Sequence, residues 1–129
     1  MIVVAAAVIR EMPGASVLLT QRPPGAHLAG YWEFPGGKVE DGEDPQDAVL
    51  RECREEIELD LRVIDILDVA WHSYEEKDVL LLFYDCRVEG GELTHTGVAD
   101  SAWVEPEDLD GYELPPPDAR LIEKLKRGR

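Results

Sequence analysis

Three glutamates carry the first chemical signal in this chain. Glu52, Glu55 and Glu56 fall at i, i+3 and i+4, a spacing that places all three carboxylates on one face of a helix. Like charges so placed cost a helix roughly a few tenths of a kcal/mol per pair in water, so an acidic face alone is ordinary solvated surface. A hard divalent cation reverses that cost. Magnesium selects carboxylate oxygens, takes one or two per ion, and keeps room for water and substrate phosphates. Ions held there would bridge the helix to a pyrophosphate, polarise phosphorus and lower the pKa of an attacking water. The trio gains weight from its fixed distance to a glycine-rich loop. Gly36 and Gly37 let backbone approach a phosphate closely. Glu43, at the end of that loop, is within reach of the same cations. Arg51 suits pairing with a loop carboxylate, a structural role.

The elements that must position these groups can be read around them. Asp44 suits a helix cap, Pro45 the first helical position, and Asp47 a negative first turn. The helix is expected to run to about Ile57, with Val49, Leu50, Cys53 and Ile57 as its apolar stripe. Ahead of it, residues 2–9 are continuous, small and β-branched, as in a buried strand. A turn at 12–15 and a second strand over 16–22 predict a hairpin. Residues 25–42 read as a Gly/Pro-rich loop that shapes a site. Strands are expected over 61–74, with interruptions, and over 79–88, followed by a short strand at 102–104 and a helical turn at 106–109. A last helix over 118–126 turns Leu121, Ile122 and Leu125 inward. This order predicts a single α+β domain over residues 1–129, an α/β/α sandwich with a mixed β-sheet between helices.

Composition narrows the class. At 129 residues the chain suits one domain, and 44% hydrophobic residues make it globular. No apolar run reaches the length of about 20 residues that spans a bilayer, and the apolar opening lacks the basic stretch of a signal peptide. The expectation is a cytoplasmic protein with no membrane partner. Cys53 and Cys86 fit a reducing compartment and propose no metal cluster. A formal charge of −15 repels a nucleic-acid polymer, and repels a small phosphate ester too unless cations stand between.

The residues around the helix resemble a known signature. Gly37, five residues, Glu43, seven residues, then Arg51-Glu52-Cys53-Arg54-Glu55-Glu56-Ile57-Glu58-Leu59 is similar to the Nudix box, G-x5-E-x7-R-E-U-x-E-E-x-G-U with U a bulky aliphatic. Gly37, Glu43, Arg51, Glu52, Glu55, Glu56 and Leu59 match at the right spacing. Cys53 stands in for an aliphatic residue, and Glu58 takes the place of the last glycine, which is expected to alter the helix exit. Gln21-Arg22-Pro23, His27, the run 32–40, Ala102-Trp103-Val104 and the stretch 114–122 resemble the MutT-type branch, so the likeness covers most of the chain. It implies the Nudix sandwich, Mg²⁺ with Mn²⁺ as a substitute, and hydrolysis of a nucleoside triphosphate to the monophosphate and pyrophosphate. The substrate would be a dNTP, oxidised as in 8-oxo-dGTP or cytosine-type, and the role nucleotide-pool sanitation in support of DNA repair.

Carried over residue by residue, the resemblance implies Glu52, Glu55 and Glu56 as catalytic metal ligands, with the Gly37 carbonyl a further one. Lys38 would orient water or neutralise phosphate. Arg22 would contact phosphate or base, and Asp118 would read the nucleobase edge. Capping the last helix is an equal alternative for Asp118. Phe34 and Tyr74, with Trp32 and Phe83, offer faces for base stacking; Phe83 reads better as core. The branch often carries a glutamate before the tryptophan matched by Trp103. Residues 96–102 contain none, and Asp100 is the nearest carboxylate. Glu55, Glu56, Asp100 and a metal-bound hydroxide therefore stand as alternative bases. The histidines His27, His72 and His95 show no metal-ligand spacing, and the basic end from Lys124 to Arg129 suits compensation of a helix dipole. A nucleoside diphosphate linked to another group is a second substrate reading, and a catalytically silent nucleotide-binding module a third. Intact box glutamates argue against the last. The protein is expected to be a monomer or a homodimer.

Overall fold

The computed structural model describes residues 1–128. Its centre is a four-stranded mixed sheet in the order β4-β1-β6-β5. Strand β1 (Ile2–Ile9) lies parallel to β6 (Asp78–Gly91) and antiparallel to β4 (Gly36–Lys38), and β6 pairs antiparallel with β5 (Leu59–Ser73). A second, antiparallel sheet of three strands runs β3-β2-β7, formed by Trp32–Glu33, Val17–Gln21 and Asp100–Val104.

Continuous burial in β1 explains the layering. Ala5 to Ile9 are all buried, so both faces of this strand need cover. Ala5, Ala7 and Ile9 face the helix α1 (Pro45–Ile57), packing with Val49, Cys53 and Ile57. Ala6 and Val8 face the opposite layer, where they meet Leu19, Phe83, Leu109 and Leu121. That layer holds the smaller sheet and α2 (Ala119–Lys126), which buries Leu121, Ile122 and Leu125. The expected sandwich with a mixed sheet is what the chain forms.

Three local readings change. Residues 2–9 and 16–22 do not form a hairpin, because β1 and β2 belong to different sheets. The turn at 12–15 instead carries the chain from one layer to the other. The loop over 25–42 contains β3 and β4. The interruptions expected in the long strand are register shifts within an unbroken β5, at Asp60/Leu61, Val63/Asp65 and Ile66/Asp68. At the C-terminal end Lys124 meets the Leu67 carbonyl at 3.0 Å and Asp68 at 3.4 Å, and Lys126 pairs with Asp110. These cations engage carboxylates as well as the helix dipole. Arg129, part of that basic cluster, lies outside the described residues. Among those residues no helix is long and apolar enough to cross a membrane.

Candidate active site

The acidic face of α1 is set by the helix ends. Asp44 caps the first turn by accepting from the Gln46 N–H at 2.8 Å, with Pro45 behind it. At the other end Glu58 adopts the left-handed conformation, φ 57°, which costs a non-glycine residue roughly 1–2 kcal/mol. Its carboxylate accepts from Thr94 Oγ1 at 3.1 Å and Thr96 Oγ1 at 2.9 Å, and these bonds offset the cost. The exit therefore keeps the backbone geometry a glycine would give, with a glutamate.

Arg51 ties the loop to this helix. Its guanidinium donates to both oxygens of Glu43, at 2.9 and 3.1 Å, to the Lys38 carbonyl at 3.2 Å and to Glu52 at 3.0 Å. Glu43 is thus engaged by Arg51 and does not line the cavity beside α1. Opposite the helix, β4 comes close enough that a Cβ on Gly37 would lie 2.4 Å from the Glu52 carboxyl carbon. Glycine is needed there so that the Glu52 carboxylate can rest over the backbone.

One cavity of about 420 Å³ gathers the sequence-derived candidates. Glu52, Glu56, Gly37 and Lys38 line one part of it, and Arg22, Phe34, Tyr74 and Asp118 line the rest. Glu55 does not line it; exposed on the same helix, it faces Arg51 at 3.4 Å. Phe34 is buried, edge-on to Phe83 at 6.0 Å between ring centroids, so it serves as core and as cavity floor at once. Tyr74 stands at the mouth, edge-on to His27 and His72. Trp32 packs on Tyr112 instead and is not among the lining residues.

Electrostatically the cavity is overloaded with acid. Burial, then the charges of Glu33 and Glu52, push the Glu56 carboxyl up to about 8. Burial also raises Glu52, against the opposing pull of Arg51. Glu33, which the sequence reading did not single out, is raised by burial while Arg22 pairs with it at 2.6 Å. Asp118 is pushed up to about 7, by burial first and Glu33 second. Its Oδ1 is buried with no hydrogen-bond partner among the described residues, and its side chain does not cap α2. The capping alternative is thereby excluded.

Two further features were not visible in the sequence. Gly97 seats its backbone against Glu56, its N–H donating to the Glu56 carbonyl at 2.9 Å, and a Cβ would lie 3.2 Å from Glu56. Lys77, on the turn between β5 and β6, also lines the cavity. Asp100 points elsewhere: it accepts from the Ser101 N–H at 2.8 Å and does not line the cavity. That removes it as a candidate base and leaves Glu55, Glu56 and a metal-activated water.

The donor set fits a hard cation. Half-buried glutamates, their pKa values raised by desolvation first and by one another's charge second, are groups a divalent ion would satisfy. Among the described residues no group of three or more acidic, histidine or cysteine side chains is placed to hold a metal ion by itself. An open set of this kind suits magnesium, which completes its shell with water and substrate oxygens.

Comparison with known proteins agrees with this geometry. The NUDIX domain model matches residues 1–125, and the chain belongs to the NUDIX family, as a hydrolase of phosphorus anhydrides. It is similar to the 8-oxo-dGTP diphosphatase of Haemophilus influenzae, 37% identical over 95% of this chain and 89% of that one. It is also similar to the CTP pyrophosphohydrolase of Escherichia coli, 36% identical over 95% and 90%. Among solved structures, the E. coli ORF135 protein superposes with a TM-score of 0.81 at 33% identity, covering 98% of this chain and 89% of that one. The MutT protein of Methanosarcina mazei gives 0.83 at 29%, covering 98% and 93%.

Proposed function

We propose that this hydrolase cleaves a nucleoside triphosphate to the monophosphate and pyrophosphate, with magnesium, and that it selects the base through Asp118. The observation that carries this reading is a single cavity whose lining joins two chemically different groups. Glu52, Glu56, the Gly37 backbone and Lys38 share it with a buried aspartate, one oxygen of which has no partner among the described residues. A molecule with phosphates at one end and a polar ring at the other matches that division.

Glu52 and Glu56 would hold magnesium, with the Gly37 carbonyl beside them and Glu55 at the rim. When bound, the ion supplies charge neutralisation for the phosphates and acidity for a water. Lys38 orients and neutralises phosphate. Arg22 is fixed by Glu33 and by a bond from Nε to the His27 carbonyl at 2.5 Å, so its cation is held at the cavity wall for substrate. Asp118, as carboxylate, accepts N–H groups from a base edge. Cytosine and the guanine family both present such donors, which agrees with the names of the relatives above. Tyr74 and the loop carrying His27 flank the place where the ring would lie.

The metal part of this reading is tested with protein stripped by a chelator, incubated with a nucleoside triphosphate, and analysed by product chromatography. Turnover should stop without metal and return with Mg²⁺, giving monophosphate and pyrophosphate. Undiminished turnover in chelator, or orthophosphate as the first product, contradicts it.

A further inference from the structure

A second cavity, of about 540 Å³, lies at the other end of the central parallel strand pair. The catalytic cavity draws on Ile2, Val4 and Ala6 of β1 and on Val79, Leu81 and Phe83 of β6. The second begins where the β1–β6 pairing ends, at Arg10, Arg87 and Val88, with Arg62 from β5 and Trp103 from β7. In a chain of net charge −15, three arginines sharing one wall stand out.

Asp85 is engaged by both Arg10, at 3.1 Å, and Arg87, at 2.5 Å. Among the described residues the Arg62 side chain makes no ion pair or hydrogen bond, and the residue sits directly opposite Arg87 across the β5–β6 ladder. Directly opposed like charges destabilise a sheet, and an anion bridging two guanidiniums reverses that. Arginine's planar fork suits phosphate in particular. Among the described residues Glu11 is the one acid that lines the wall. Beside these cations Trp103 is 49% exposed and Val88 45%, so the cavity pairs an anion seat with an apolar, aromatic face. Its volume lies within the range of small-ligand pockets, roughly 300–1,000 Å³, and exceeds what inorganic phosphate needs. Glu105 borders Trp103 only in the neighbouring hollow, outside this cavity, so an anion is favoured on the arginine side of the ring.

We propose that this cavity is a second ligand site for a nucleotide-class molecule, its phosphate on Arg62 and Arg87 and its base stacked on Trp103. The site shares none of its lining residues with the catalytic cavity, and its occupancy does not depend on the proposed substrate.

The test is NMR titration of the whole protein with AMP, and separately with inorganic phosphate, in metal-free buffer. AMP should shift the Trp103 indole signal saturably, and phosphate should bind more weakly without moving that signal. Arg62→Glu and Trp103→Ala should each weaken AMP binding by about tenfold while triphosphate turnover is unchanged. Glu56→Gln should leave the Trp103 shift intact. The Arg62 side chain is exposed and makes no hydrogen bond or ion pair among the described residues, so its replacement does not threaten the fold. Shifts confined to the catalytic cavity, wild-type AMP affinity in Arg62→Glu, or phosphate binding as tightly as AMP would each overturn the proposal.

Discussion

At the scale of single residues, Asp118 links burial to selectivity. A carboxyl oxygen without a partner is costly to bury, and this one lines a ligand cavity with its Oδ1 unpartnered among the described residues. A substrate N–H would satisfy it. Asp118→Ala should therefore lower turnover of the preferred triphosphate by roughly 10- to 100-fold, the worth of a hydrogen bond to a charged group. Triphosphates with other bases should fall much less. Steady-state kinetics on several bases checks this, and a uniform fall across them would count against base reading. Glu33 shows what residue-by-residue reading overlooks. It lies between two aromatics in a Gly/Pro-rich stretch, and only the β2–β3 pairing, which sets it opposite Thr20, brings it to Arg22, Glu52, Glu56 and Asp118.

At the scale of elements, the site depends on β4 lying close against α1. Gly37 permits that approach, and its backbone does not need a positive φ. Gly37→Ala should thus spare the fold while displacing the Glu52 carboxylate, the flexible group its methyl would strike. The expected result is weaker activation by Mg²⁺ and lower turnover with a nearly unchanged melting temperature; wild-type Mg²⁺ dependence would contradict it. The helix itself was legible in the sequence, since its cap, its stripe and its acidic face are local patterns of one segment. The partners of strands were not. A turn at 12–15 looks the same whether it closes a hairpin or crosses between layers. The outcome was decided by β6, whose parallel pairing with β1 comes from 70 or more residues away in the chain. The short strands β3 and β4 were hidden for a related reason: the glycines and prolines that mark a loop also allow Gly36 to press against Ala5 and Ala6.

At the scale of the whole molecule, the concentration of acid in one cavity makes stability depend on pH and metal. Glu56 and Asp118 have folded-state values of about 8 and about 7, above ordinary carboxyls. The folded protein therefore binds these protons more tightly than the unfolded chain does. Their contribution is complete below the ordinary carboxyl range and is lost as pH rises through 7 and 8. Glu43 and Asp68, whose values are lowered by arginine partners, act in the opposite sense only at more acid pH. Metal-free protein should melt at lower temperature near pH 9 than near pH 5, with a flatter slope in the Glu56→Gln, Asp118→Asn double variant. Mg²⁺ should restore stability at the alkaline end by binding the ionised cavity. Thermal melts across pH check this, and an unaltered slope in the double variant would refute the assignment. The general layout of this molecule, helix-covered mixed sheet and carboxylate helix, followed from sequence. The cavity did not, because it is assembled from β1, β3, β4, β6, α1, the loop after β2, the β5–β6 turn and the segment before α2.

The most direct measurement is pyrophosphate release, with Mg²⁺, across canonical, oxidised and methylated (d)NTPs and nucleotide sugars, on wild type and Glu56→Gln side by side. The account predicts a marked preference among triphosphates and a fall on the order of 100-fold or more in the variant. Release from no triphosphate, or near-wild-type rates in Glu56→Gln, would contradict it.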